Sequence, residues 1–265
     1  MVKSCTENET CRLSEPTDPD LSIVIPVFNE GANIRATLES LYAQVQVPKR
    51  VYVVYDFEED DTLPVVRALQ AQLPELHLLR NRFGRGAHSA IRTGLLAPAG
   101  GVAVVMMADL SDDVRALPLM YEKARAGAMV VCASRYSPGG RQIGGPWLKG
   151  RLSRLAGWSL HHLVGLPTLD VTNSFKAYRR ELLDAVTIES DGGFEIGMEL
   201  VVKAFAAGYR VEEVPCVSHA DRPAGSSRFQ LLRWFPKYLR WWAYAVRNRP
   251  GRVRGDRATS RPLAG

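Results

Sequence analysis

Cysteine is scarce in this chain of 265 residues, and long apolar runs are absent. The four cysteines, Cys5, Cys11, Cys132 and Cys216, form no CxxC pair. Neither a disulfide scaffold nor a zinc knuckle is expected, and a reducing, cytoplasmic setting fits. No stretch approaches the roughly 18 consecutive apolar residues of a membrane-crossing helix. The opening MVKSCTENETCRLSEPTDPD is polar and carries no secretory core, so residues 1–20 read as a flexible leader. HExxH, GxSxG and GxxxxGK(S/T) patterns are all missing, and Gly84-Arg85-Gly86 lacks the third glycine of a dinucleotide fingerprint. Hydrolase, P-loop kinase and dehydrogenase chemistries lose ground together. The five histidines, His77, His88, His161, His162 and His219, show no paired-ligand spacing and read as packing or surface residues.

Basic charge is in excess at +6, but it is localised. Residues 247–265 hold six arginines against one aspartate, which leaves the rest of the chain near neutral. A nucleic-acid partner is therefore not expected, and 248–265 reads as a basic flexible tail. At 46% hydrophobic residues the body can bury a substantial core.

Short β-branched runs at 21–27 (LSIVIPV), 50–55 (RVYVVY), 76–79, 101–107 (GVAVVMM) and 129–133 predict strands. Helical spacing follows each of the first four, as in Ile34, Leu38 and Leu41, and in the helix expected over 114–126. Such alternation predicts a parallel, doubly wound α/β sheet, which binds ligands beyond the carboxyl ends of its strands. Polar and acidic clusters fall at those ends: Asn29-Glu30, Asp56 to Asp61, and Asp109 to Asp113. A single such carboxylate is ordinarily a helix cap, whereas three clusters suit Mg2+ or Mn2+ bridging phosphate oxygens. In the second half, Arg135, Arg141, Lys149, Arg151, Arg154, Arg222 and Arg228 sit among Gly and Ser, a composition suited to gripping phosphate.

LSIVIPVFNEGANI resembles the opening of the family 2 glycosyltransferases of GT-A fold. VVYDFEEDDT, MMADLSDD, ASRY, KGRLSR, LDVTNSFKAYRREL and DRPAGSSRF resemble later blocks of the dolichyl- or polyprenyl-phosphate mannosyl/glucosyltransferases, over about residues 21–229. The resemblance implies a Rossmann-like, mixed but mostly parallel sheet flanked by helices, with 21–228 as the catalytic domain. It implies that Pro26, Phe28, Glu30, Asp56 and Gly86 bind the nucleotide of a GDP- or UDP-hexose. Asp109, assisted by Ser111, would hold a divalent ion on the donor diphosphate. Arg135, Lys149 and Ser174 would bind an acceptor phosphate, Arg222 and Arg228 would steady phosphates, and Asp170 would lie near the transferred sugar. The chain departs from the pattern at Tyr55, which replaces the first aspartate of a pair, at Gly197, which replaces a glutamine, and at Met107. A thioether is a poor ligand for a hard cation, so Asp109 is left as the anchor, with Asp112 or Asp113 near it.

The implied reaction is inverting transfer of a hexose to a polyprenyl phosphate. A soluble hydroxyl acceptor, with Asp170 or Glu195 as base, and a non-catalytic sugar-nucleotide-binding protein are the alternatives. Residues 229–247 place Leu231, Trp234, Phe235, Tyr238, Trp241, Trp242 and Ala245 on one side of a helix, and Arg233, Lys237 and Arg240 on another. This predicts an amphipathic interfacial helix on a membrane surface, the other reading being tryptophans packed on the domain or on a homodimer partner.

Overall fold

The computed structural model describes residues 20–97, 100–219 and 231–250. The leader up to residue 19, Arg222, Arg228 and the tail beyond 250 lie outside the described residues. In chain order the elements are β1 (Leu21–Pro26), α1 (Ile34–Gln44), β2 (Lys49–Tyr55), α2 (Thr62–Gln70), β3 (Leu76–Arg80), α3 (Ala87–Leu95), β4 (Val102–Val105), a 3-10 turn (Val114–Ala116) and α4 (Leu117–Arg125). There follow β5 (Val130–Ser134), β6 (Arg141–Ile143), α5 (Trp147–Val164), β7 (Lys176–Arg179), α6 (Arg180–Ala185), α7 (Ile196–Ala206), β8 (Val211–Pro215), β9 (Val217–His219) and α8 (Leu231–Arg247).

The main sheet has the order β3-β2-β1-β4-β7-β5-β8, and β6 pairs with β9 in a separate ribbon. Strand β1 shows why the sheet is internal. Leu21, Ile23 and Ile25 point into one core and Val24 into another, all fully buried, because alternate strand residues face opposite sides. Helices α1, α2 and α4 cover the first face, whereas α3, α5, α7 and α8 cover the second.

Two expectations need correction. The sheet is mixed and mostly parallel, as the resemblance implies, rather than wholly parallel as the alternation alone predicts, since β7 runs antiparallel to both neighbours, β4 and β5. Its four residues, KAYR, are too few to carry a periodic signal, and its direction is set by the return of the chain from α5. The helix over 114–126 is split, with a 3-10 turn capped by Asp113 before α4, and Pro118 lies in the first turn, where no N–H partner is lost.

The C-terminal helix forms as Leu231–Arg247, but its aromatic row is divided. Trp241 and Ala245 are almost wholly buried with Leu200, Val201 and Ala204 of α7. Trp242 Nε1 donates to Ser159 Oγ of α5 at 2.9 Å. Lys237 and Arg240 pair with Asp191 and Glu189 rather than forming a separate cationic face. Only Phe235 and Leu239 among its large apolar side chains are strongly exposed, among the described residues. Among those residues no helix is long and apolar enough to cross a membrane. Truncating a buried tryptophan costs about 3–5 kcal/mol, so Trp241→Ala should lower the urea-unfolding free energy by that amount. An unchanged midpoint would mean that this ring is not part of the core.

Candidate active site

Strand order reverses between β1 and β4, so the loops after these strands diverge and leave a crevice at their carboxyl ends. Pro26 closes β1 at the rim of this crevice. The following loop is fixed by the second acidic cluster. Asp60 accepts from Asn29 N–H at 3.1 Å, Asp61 accepts from Gly31 N–H at 2.8 Å, and Thr62 Oγ1 accepts from Glu30 N–H at 2.9 Å. Asn29 is left-handed at φ 52°, a conformation that these bonds hold in place. The Glu30 carboxylate accepts from Asn33 Nδ2 at 2.9 Å.

Asp56 binds the next loop, accepting from Asn81 Nδ2 at 2.7 Å and from Gly86 N–H at 2.8 Å. Gly86 adopts φ 114°, which a side chain would rarely allow. Around this turn Phe28 meets Phe57 edge-on, with ring centroids 5.5 Å apart, and the Arg85 guanidinium lies 5.6 Å from the Phe57 ring. Phe28 is 45% exposed, so the cluster presents an aromatic and cationic surface at the mouth of the crevice. Phe57 and Arg85 escaped the sequence reading because each sits among residues that drew attention for other reasons, DFEEDD and GRG.

Beyond β4 the chain turns through Leu110 at φ 61°, and Asp109 is buried. Its Oδ1 accepts from Ser111 N–H at 3.2 Å, while Thr37 donates to the Ala108 carbonyl at 2.7 Å from below. Asp112 accepts from Met107 N–H at 2.8 Å. Shielding from water pushes its carboxyl up to about 7, and nearby Asp109 adds repulsion. Asp113 is spent on Arg115, both side chain and backbone. Among the described residues no three Asp, Glu, His or Cys side chains gather into a metal cage. The donor set instead fits an ion held by one carboxylate, with its other ligands from phosphate and water, as Mg2+ is commonly bound. Asp109 and Ser111 are the residues of this loop that would hold it.

The opposite wall carries the basic residues. Arg135 follows β5 and grips Asp170 with two prongs, Nε to Oδ2 at 2.7 Å and Nη2 to Oδ1 at 2.8 Å, and its own N–H adds a bond of 2.9 Å to Oδ2. Asp170 is completely buried. Burial by itself would lower the guanidinium's pKa, but the Asp170 carboxylate overrides it and holds the group above its ordinary value. Both oxygens of Asp170 are thus engaged, and its place is behind Arg135. Ser153 of α5 supports the same guanidinium at 3.0 Å. Fully buried Lys176 pins the loop before β7 by donating to the carbonyls of Val171, at 3.1 Å, and Asn173. Ser174 lines a narrow cleft with Ile91, Tyr178, Phe194 and Gly197. Lys149 stands in the first turn of α5, on the exposed side.

The strand-end crevice is thus bordered by the Phe28–Phe57–Arg85 cluster, the buried Asp109 and the Arg135–Asp170 pair. Residues 22–187 match the family model described as Glycosyl transferase family 2, and the chain belongs to that family. It is 28% identical over 247 residues to the polyprenol monophosphomannose synthase of Mycolicibacterium smegmatis, covering 91% of this chain and 92% of that one. It is also 28% identical over 236 residues to the dolichol-phosphate mannosyltransferase of Pyrococcus furiosus, covering 83% of this chain but 64% of the longer relative. Glucosyl-3-phosphoglycerate synthase from Mycobacterium tuberculosis, solved with Mn2+, uridine diphosphate and phosphoglyceric acid, superposes with a TM-score of 0.61 at 19% identity. That match covers 86% of this chain and 77% of the other, and it identifies the fold as GT-A.

Breaking a buried ion pair by removing one partner leaves a stranded charge and costs about 3–5 kcal/mol. Asp170→Asn should therefore destabilise the protein by that order in urea titration and also abolish most transfer. A carboxylate serving only as a proton acceptor would lose turnover with stability intact.

Proposed function

We propose that this family 2 glycosyltransferase moves a hexose from a GDP- or UDP-sugar to a polyprenyl phosphate, with inversion at the anomeric carbon, and works at a membrane surface facing the cytoplasm. The observation that carries the reading is the engagement of Asp170 by Arg135. The carboxylate nearest the acceptor side is committed to positioning a cation, so the acceptor should be one that needs no strong base. A phosphate monoester fits, since its second pKa is about 6 and it is already an anionic nucleophile at neutral pH. The names of the relatives, both lipid-phosphate mannosyltransferases, support the same acceptor.

In this reading Phe28, Phe57 and Arg85 receive the base, and Asp56 keeps the 81–86 turn against it. Asp109 and Ser111 would hold Mg2+ or Mn2+, which when bound would neutralise charge on the leaving diphosphate. Arg135, held rigid by Asp170 and Ser153, faces the acceptor phosphate together with Lys149. Preorganised charge of this kind lowers the barrier because no reorganisation is needed as the transition state forms. One in-line displacement inverts the sugar. A soluble hydroxyl acceptor remains the second reading, favoured by Glu195, which is fully buried and whose Oε1 has no hydrogen-bond partner.

Labelled UDP- and GDP-hexoses, incubated with Mn2+ and polyprenyl phosphate, should yield label extractable into organic solvent. Label appearing only on soluble acceptors would favour the second reading, and no transfer from any donor would leave a binding protein. Asp109→Asn should reduce transfer by at least about 100-fold and remove the Mn2+-dependent thermal stabilisation by nucleoside diphosphate. Phe57→Ala should weaken nucleoside-diphosphate binding measured by calorimetry, given about 1–3 kcal/mol per base stacked on an aromatic ring. Unchanged affinity would remove the platform.

A further inference from the structure

Helix α5 leaves Trp147 (71%), Leu148, Leu155, Trp158 (53%) and Leu163 strongly exposed. At about 100° per residue, Trp147, Leu148, Leu155 and Trp158 share an arc near one-third of the helix, while Gly157 and Leu160 are buried on the opposite side. Five large apolar side chains on one outward helix exceed the scattered exposure ordinary for a surface. The same helix contains no acidic residue, whereas Arg151 and Arg154 lie on or beside this arc. The Arg151 guanidinium lies 5.4 Å from the Trp147 ring, and the His162 ring lies tilted against Trp158 with centroids 4.7 Å apart. Helix α8 packs alongside through the Trp242–Ser159 hydrogen bond and adds exposed Phe235 and Leu239.

We infer that the outward face of α5, extended by Phe235 and Leu239, is the surface by which the protein sits on an anionic lipid bilayer. Tryptophan and leucine seat at the boundary of headgroup and acyl chain, and the flanking cations meet lipid phosphates. Charge selects this occupant. A second copy of the same face would bring like cations together, whereas a bilayer of anionic lipid complements them. The surface also adjoins the acceptor side: Ser153 of α5 holds Arg135, and Tyr136 donates to the Gly150 carbonyl at 3.3 Å. A lipid phosphate moving in the plane of the membrane would reach Arg135 without leaving the interface, and to that extent the inference rests on the lipid-borne acceptor proposed above. Of the α8 aromatic residues first expected to meet lipid, Trp241 is internal at 1% exposure, Trp234, Tyr238 and Trp242 are half-buried, and Phe235 is exposed.

Co-sedimentation of the full chain with vesicles of phosphatidylcholine containing phosphatidylglycerol tests this. Wild type should bind these vesicles at least about 10-fold more tightly than vesicles of phosphatidylcholine alone, with brominated lipid quenching tryptophan fluorescence. The L155Q/W158Q variant should lose at least about 10-fold in vesicle affinity, with its melting temperature and its transfer to a short, water-soluble prenyl phosphate unchanged. Equal vesicle binding by variant and wild type, or no binding by folded wild type, overturns the inference. So does a lipid-free dimer that the same variant converts to monomer, because the face would then belong to a second copy. If the variant loses vesicle binding but neither protein uses any prenyl phosphate, the docking face stands and the acceptor reading falls. Transfer retained with vesicle binding unaltered gives the reverse.

Discussion

The Arg135 guanidinium and the Asp170 carboxylate meet away from water, and each is affordable there only because the other is present. Several elements converge to keep them together. Ser153 reaches in from α5, and Asp170 N–H bonds to Thr168 Oγ1, which in turn donates to Glu213 on β8 at 3.0 Å. Gly157 lets α5 lie directly against this segment, since a methyl at that position would overlap the Leu169 carbonyl. The pair thus ties β5, β8 and α5 to one point. A desolvated pair of this kind contributes little net stability but holds its guanidinium in one direction, which the proposed phosphate grip would need.

Across the crevice the chemistry is sparer. The loop after β4 holds three aspartates within five residues: Asp113 serves Arg115, Asp112 the Met107 N–H and Asp109 the Ser111 N–H, and in the proposed reading Asp109 would hold an ion. The substitution at Met107 is compatible with this economy, because Mg2+ and Mn2+ can take most of their ligands from a diphosphate and water. The family membership and the GT-A fold set the frame, and the particular residues set how few protein ligands are available within it.

Strands β1, β2, β4 and β5 were legible because buried β-branched runs bounded by polar turns leave a strong local pattern. Strand β7 was not, since its direction depends on where the chain re-enters the sheet. The acidic clusters were correctly placed at strand ends, but their division of labour was invisible: Asp60 and Asp61 satisfy backbone N–H groups of a neighbouring loop 30 or more residues away. That distinction is one of long-range geometry, and composition cannot supply it. Likewise Asp170 read as a carboxylate near the sugar, because nothing local announces a partner 35 residues earlier. Trp241 and Trp242 looked alike in the sequence and lie in different surroundings, one in the core and one bridging to α5.

The small ribbon of β6 and β9 joins the two walls mechanically. His219 N–H, at the end of β9, bonds to the Ser111 carbonyl at 3.0 Å, Ser218 bridges to Asp112, and β6 runs on within a few residues into α5. A shift of the Asp109 loop must therefore pull β9 and β6 with it or break those hydrogen bonds. Movements of the Asp109 loop and of the start of α5 are thereby geared to each other through backbone hydrogen bonds and a few residues of chain.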